Sequence, residues 1–479
     1  MKKIENLSLL AFTSLAFFSA CEQDEKEPKH TNVILIYADD LGWAQSGAYG
    51  SNYYHTPNID RMAQNGILFT DAYSAATICS PARASLMTGK NPARLNITDF
   101  IPGNRANIYP LSQPVMQGYL PVEEFTLGNL FKEAGYKTAF FGKWHLSKEK
   151  FGPVSLEHYP DKQGFDEYFV IDKPGSQSNP EMDPHWTDLI GNTSLEFIKN
   201  NQNDPFFLVM SFSAIHDPLM ERADSIRMWR EHPLSEKPEN NPIIAAILSR
   251  LDRTVGELLD KLDALNLTGH TMVIFYSDNG GLAENNYVPF KDYYPEGDAL
   301  RIADQKPLRK GKGWLYEGGI RVPLIIQWPQ VIDKLRVTHE IVSTYDFLPT
   351  FASLLEIDIP SEVDGMSFLS VLTDDTPLPL RSHHWHYPHY HRQTGALPAA
   401  AIRRGEWKLI EWFENSLLKT GKPAYELYHL DEDIGETNNL FEVESEIAKE
   451  LIDDMLRFRE DVNAQMPLRN PGYRNENAK

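Results

Sequence analysis

From His30 to about residue 370 the chain alternates short, nearly continuous apolar runs with segments whose apolar residues recur every three or four positions. The run Val33-Ile34-Leu35-Ile36-Tyr37-Ala38 has no polar face, which predicts a strand covered on both sides. Lys137 to Phe141, Phe206 to Phe212, Met272 to Tyr276 and Val322 to Trp328 read the same way. The intervening segments predict helices. Thr56-Pro57 opens one that stops at Gly66, and Thr126 caps another whose Leu127, Leu130, Phe131 and Ala134 share a face before Gly135. The longest is predicted from about Pro242 to Leu265, where Ile244, Ile247, Leu248, Leu251, Val255, Leu258 and Leu262 keep helical spacing. Strands alternating with helices predict an α/β fold.

The pattern changes near residue 370. Thr373 to Pro379 is rich in Pro, Asp and Thr and reads as a linker. Beyond it, Ala401 to Trp412 and Tyr425 to Leu430 alternate, and an amphipathic segment runs from about Glu444 to Val462. A small antiparallel sheet with one helix is expected there. At the other end, Lys2 and Lys3 precede an apolar stretch, Leu7 to Phe18, too short to span a bilayer. Phe18-Ser19-Ala20-Cys21 resembles a bacterial lipobox. The expectation is a signal peptide over 1–20 and lipidation at Cys21, followed by a polar tether over 21–30. A catalytic domain is then expected over 31–370 and a C-terminal subdomain over 371–479, where it contributes to the substrate pocket. Ordinary cleavage after Ala20 also predicts export. The expected location is therefore outside the cytoplasm, periplasmic or at the cell surface, with the membrane touched only through the anchor.

The 479 residues suffice for a large core, and a net charge of −21 argues against nucleic acid as a partner. An anionic substrate is still compatible, because a local cluster of cations can reverse the field. The chain has two cysteines, Cys21 and Cys79. Cys79 opens Cys79-Ser80-Pro81-Ala82-Arg83, with Ser80 the expected helix cap and Pro81 the first helical residue. A side chain there meets unpaired backbone N–H groups, with Arg83 one turn on. Other reactive residues recur at the C-terminal ends of predicted strands, where open α/β sheets place their ligands. Asp39-Asp40 ends one and Asp278-Asn279 another; together they form an all-oxygen set for a hard cation, Ca²⁺ or Mg²⁺, although either pair alone also reads as a turn. Gly142-Lys143-Trp144-His145 ends a third, with Lys143 and His145 two residues apart on an extended segment. Ile215-His216-Asp217-Pro218 follows a fourth, and a basic loop, Pro307 to Gly313, precedes Tyr316-Glu317-Gly318-Gly319-Ile320-Arg321.

Cys79 to Arg83, continuing as Ala84-Ser85-Leu86-Met87-Thr88-Gly89, resembles the signature of type I sulfatases of the alkaline-phosphatase-like superfamily, secreted bacterial carbohydrate sulfatases among them. The likeness runs from about Asn32 to about Leu440. It implies a large mixed β-sheet sandwiched by helices, with a smaller C-terminal α+β subdomain. It implies Cys79 converted to formylglycine by a maturase, and one Ca²⁺ held by Asp39, Asp40, Asp278 and Asn279. Arg83, Lys143, His145, His216 and Lys312 match the remaining catalytic positions. In such enzymes a hydrated aldehyde attacks sulfur, and His216, with Lys312, is the expected proton donor to the leaving alkoxide. The expected reaction is removal of sulfate from a sulfated saccharide of a host or algal glycan, with galactose or N-acetylgalactosamine sulfate favoured. Two alternatives stand beside it: a phosphomonoester, phosphodiester or phosphonate hydrolase on the same scaffold, and a non-catalytic glycan-binding lipoprotein. In the ring-dense stretch Ser382 to Arg392, the residues His386, His389, His391 and Arg392 are expected to reach substrate.

Overall fold

A computed structural model describes residues 30–103, 108–147, 156–171, 182–283 and 303–474. The predicted signal peptide, Cys21 and nearly all of the tether lie outside these residues. The main sheet has eight strands: β1 (Asn32–Ala38), β2 (Ile67–Phe69), β3 (Lys137–Gly142), β4 (Glu167–Val170), β5 (Phe206–Ser211), β6 (Thr271–Ser277), β7 (Leu324–Gln327) and β8 (Arg336–Thr338). Their order is β8-β2-β7-β6-β1-β5-β3-β4, and only β7 runs against the others. The sheet is therefore mixed, as the family resemblance implies.

β1 is central, pairing Ile34 with Leu208 on one side and Val273 on the other. Its alternate residues enter separate cores. Ile34, Ile36 and Ala38 meet α1 (Pro57–Gln64), α4 (Thr187–Asn200) and α5 (Pro242–Ala264), whereas Val33, Leu35 and Tyr37 face the layer holding α2 (Cys79–Thr88) and α3 (Leu127–Glu133). That burial on both faces explains a run without polar alternation.

The long helix and the Thr126 cap stand where the pattern placed them, the latter as a reciprocal capping box with Asn129. Thr56 precedes α1, but its hydroxyl bonds Gly47 and Asp60 instead. The orphan amides of Asn58 and Ile59 are taken by Asp252 of α5, at 3.0 and 2.9 Å. Tertiary packing supplied the cap that local sequence suggested.

The C-terminal part forms an antiparallel sheet, β9 (Ser382–Tyr387), β10 (Ala399–Arg404), β11 (Trp407–Trp412) and β12 (Tyr425–His429). Its Trp385, Ala401 and Ile410 pack on Tyr73, Ile78 and Ile320 of the main body. Its opposite face, with Ile402 and Leu409, covers α6 (Ser445–Asp461) through Leu451 and Met455. The expected linker is partly helical, because a short helix extends over Leu369–Asp374.

Candidate active site

The C-terminal ends of β1, β3, β5 and β6 lie side by side, so Asp39-Asp40, Lys143, the 211–217 loop and Asp278-Asn279 meet at one edge of the sheet. Gly142 makes part of this possible. Its φ is 117°, and a Cβ there would stand 1.9 Å from the Ser211 carbonyl oxygen.

Helix α2 brings Cys79 to the same edge. Ile78, in extended conformation, is the N-cap, so the helix begins at Cys79 rather than at the expected Pro81. Pro81 is the third helical residue, and its missing N–H is still one of the four that no helical carbonyl could have used. Ser80 is not a cap: its hydroxyl donates to the His145 carbonyl at 2.9 Å and accepts from the Ile101 amide at 3.0 Å. Local sequence could not reveal these two distant partners.

Three fully buried carboxylates, Asp39, Asp40 and Asp278, gather around the Cys79 thiol, with one oxygen of each and the sulfur all within 4.8 Å of one another. Each carboxylate has a cation. Lys143 Nζ is bonded to Asp39, Lys312 Nζ donates to Asp40 at 2.8 Å, and Arg83 holds Asp278 through Nε and Nη2 at 3.0 and 2.8 Å. Arg83 also donates to the Lys143 carbonyl and the Ser211 hydroxyl, so it fixes three strand ends at once. Lys312 Nζ lies 3.6 Å from Cys79 Sγ, whose thiol points at Asp39 Oδ1 across 3.4 Å.

The electrostatics follow from this packing. Burial alone would raise the Asp39 carboxyl, but Lys143, His216 and Arg83 hold it below the usual range. Asp278 is raised by burial and by Asp39, against the pull of Arg83. Burial, with Asp39 adding to it, pushes the Cys79 thiol far up, so the unmodified side chain is a protonated thiol and a poor nucleophile. His145 is held neutral by burial and by Lys143. It takes a left-handed φ of 56°, so it leaves the extended path expected for it. Its Nε2 pairs with the Ile101 carbonyl at 2.9 Å and it stays in the electrostatic reach of Lys143 and Arg83.

The donor set fits a hard divalent cation. Asn279 Nδ2 donates to Asp40 at 2.7 Å, leaving Asn279 Oδ1 buried beside the carboxylates with no hydrogen-bond partner among the described residues. A buried acceptor without a donor is costly, and a cation among these oxygens would satisfy it.

His216 comes from the loop after β5, with Nε2 3.9 Å from Asp40 Oδ2. Of the four residues expected to reach substrate, only His391 is brought here. It lies against Gly313 and in the electrostatic reach of Lys312, Asp217 and His216. His386 bonds the Gln465 carbonyl and His389 the Thr98 hydroxyl, both buried, and Arg392 is exposed on a turn. Most of the ring-dense stretch is strand β9 and the turn after it, which place His386 and His389 in the interior rather than against substrate. Asp217, adjacent to His216, had no role assigned from sequence and stands beside the site.

Comparison with known proteins agrees with this geometry. The family model described as Sulfatase matches residues 31–357, and that of the N-sulphoglucosamine sulphohydrolase C-terminal region matches 310–461. A sulfatase of Formosa agariphila is 30% identical, covering 92% of this chain and 90% of its own. An N-acetylgalactosamine-6-O-sulfatase of Bacteroides thetaiotaomicron is 27% identical, covering 94% and 98%. The crystal structure of Ps i-CgsB in complex with k-i-k-neocarrahexaose superposes with a TM-score of 0.73 at 25% identity, over 94% of this chain and 95% of that one.

Proposed function

The chain belongs to the sulfatase family and is a sulfuric ester hydrolase; we propose that it removes sulfate from a galactose-type sugar, using a formylglycine made from Cys79 and one bound Ca²⁺. The observation that carries this reading is the placement of Cys79 at a helix N-terminus among three buried carboxylates, three cations and the unpartnered Asn279 Oδ1. When present, the aldehyde hydrate supplies the nucleophile and the cation supplies Lewis-acid charge.

The chain's own residues do the rest. Asp39, Asp40, Asp278 and Asn279 would hold the cation, and Arg83 fixes Asp278 for that task. Lys143 and Lys312 would neutralise sulfate oxygens as charge shifts, and His145 would orient the group at position 79. His216 Nε2 would give its proton to the sugar oxygen as the S–O ester bond breaks. His391, at the edge of this cluster, would meet the sugar itself. The sugar is inferred from two similar proteins, one named N-acetylgalactosamine-6-O-sulfatase and one solved in complex with k-i-k-neocarrahexaose.

The test is sulfate release by the converted enzyme from 6-sulfated N-acetylgalactosamine, sulfated galactose, 6-sulfated N-acetylglucosamine and 2-sulfated uronate. Release restricted to the galactose-type sugars is the expected result. Release only from the other two would replace the sugar, and faster hydrolysis of a phosphate or phosphonate ester would replace the reaction. Glycan binding without release by converted protein would favour a binding role. Export with a lipid anchor at Cys21 remains our reading of the sequence, checked by fatty-acid labelling that Cys21→Ser abolishes.

A further inference from the structure

The loop after β5 presents His216 to the site by one ring nitrogen only. The other, Nδ1, lies 2.7 Å from the Asp217 carbonyl oxygen and 3.0 Å from Asp217 Oδ1. Both neighbours are acceptors, so Nδ1 carries a hydrogen and Nε2 is the nitrogen left for proton exchange. A ring nitrogen of His216 also falls within 4.8 Å of Asp39 and Cys79. The loop is held from behind as well, since His185 Nε2 pairs with the His216 carbonyl at 3.1 Å and the Ser213 hydroxyl donates to the His185 carbonyl at 2.8 Å.

Asp217 differs from the three carboxylates deeper in the site. They are fully buried and each faces a cation, whereas the Asp217 side chain is 17% exposed at the rim. Its carboxylate faces the imidazole at 3.0 Å, with Lys312 and His391 in its wider electrostatic reach. A carboxylate on the far nitrogen of a catalytic histidine fixes the ring's orientation and tautomer, and it stabilises charge that develops there.

We propose that Asp217 is a positioning residue for proton donation: it holds His216 Nδ1–H so that Nε2 faces the ester oxygen of the departing sugar. The proposal rests on His216 being the proton donor in the reading above. In that step sulfur bonds the attacking oxygen as its bond to the sugar oxygen breaks, and the ester electron pair stays on the sugar oxygen. The imidazolium of His216 passes its Nε2 proton to that oxygen, leaving a neutral ring with Nδ1–H. Asp217 itself neither gains nor loses a proton. The need for this device depends on the leaving group, because a sugar alkoxide requires protonation and a nitrophenolate does not.

The experiment uses formylglycine-bearing, calcium-loaded enzyme, with Asp217→Asn and Asp217→Ala beside the parent. Sulfate release is measured from 6-sulfated N-acetylgalactosamine and from 4-nitrophenyl sulfate. We expect kcat on the sugar to fall about 10- to 100-fold with KM within about twofold. The loss on the nitrophenyl ester should be at least about tenfold smaller. Equal losses on both substrates, or a loss confined to KM, would overturn the proposal. The low-field imidazole N–H proton resonance, assigned to His216 by its absence in His216→Ala, gives a readout without turnover. It should be present in the parent and shifted upfield and broadened in Asp217→Ala, where only the backbone carbonyl is left as acceptor; an unchanged resonance there would overturn the proposal even if the parent releases sulfate from neither ester. Absence of release with the resonance behaving as expected would instead count against the assigned reaction.

Discussion

Two buried charge networks lie within a few residues of each other along the chain, each with three carboxylates and three cations. The first is the site around Cys79, where Asp39, Asp40 and Asp278 face Lys143, Lys312 and Arg83. The second joins the C-terminal sheet to the main body. There Lys408 Nζ lies 2.8 Å from both Glu317 and Glu436, Arg321 Nε donates to Glu317 at 2.6 Å, and Arg403 pairs with Asp71 at 2.8 Å. Tyr73 adds its hydroxyl to Glu317 at 2.6 Å, and Glu436 accepts from the Glu317 amide at 2.7 Å.

They differ in what is left over. In the second network every acid meets a cation of the same network, Glu436 Oε1 through the 2.8 Å ion pair with Lys408 although it has no directed hydrogen bond there. The first encloses a thiol and leaves the Asn279 carbonyl oxygen without a donor. Buried charge paired within the fold specifies how two parts dock, and a buried acceptor that meets neither a donor nor a cation marks where a ligand belongs. Glu317 lies five residues beyond Lys312, so the two networks adjoin along the chain.

If this contrast is right, the two networks fail in different ways. Cys79→Ala should lower turnover by on the order of 10⁴ or more while leaving the melting temperature almost unchanged, as sulfate release and calorimetry would show. Lys408→Met should do the reverse. Removing one partner from buried ion pairs costs about 3–5 kcal/mol of stability, read by denaturant unfolding, while kcat per folded molecule stays near the parent value. Asn279→Ala should weaken cation affinity about 10- to 100-fold, measured by calcium titration, and cost about 1–3 kcal/mol of stability, because the side-chain amide also donates to Asp40 and to the Gly280 carbonyl.

The smallest effect concerns pH. Burial pushes the Glu436 carboxyl up from 4.5 to about 7, with Glu317 adding to it and Lys408 opposing. The folded chain therefore holds this proton more tightly than the unfolded one. That contribution to stability is complete below about 4.5 and is lost as pH rises through about 7. Glu436→Gln should flatten the fall in melting temperature across that window; an unchanged slope would show that Glu436 is not its source.

The carboxylates and Lys143 of the first network were legible in the sequence because each follows a strand with a strong apolar signature, whereas Arg83 and Lys312 came from the resemblance of their motifs. Asp39-Asp40, Lys143 and Asp278-Asn279 sit directly after β1, β3 and β6, and the parallel sheet brings such ends together. The second was hidden. Lys408 and Arg403 lie in strands whose burial follows from docking on Tyr73 and Ile320, contacts between residues far apart in the chain. The same cause separated His391 from His386 and His389, since composition shows a cluster of rings and only the register of β9 and the path of the chain after it show where each one lies. Caps divide likewise: Thr126 and Asn129 act locally, whereas Asp252 closes α1 from another helix.

The most direct test of the central claim couples chemistry at position 79 to turnover. Preparations with different extents of Cys79 conversion, each measured by peptide mass, would be assayed for sulfate release at saturating calcium. Activity should rise in proportion to the converted fraction and extrapolate to zero for unmodified protein. Substantial sulfate release at zero conversion would contradict the account.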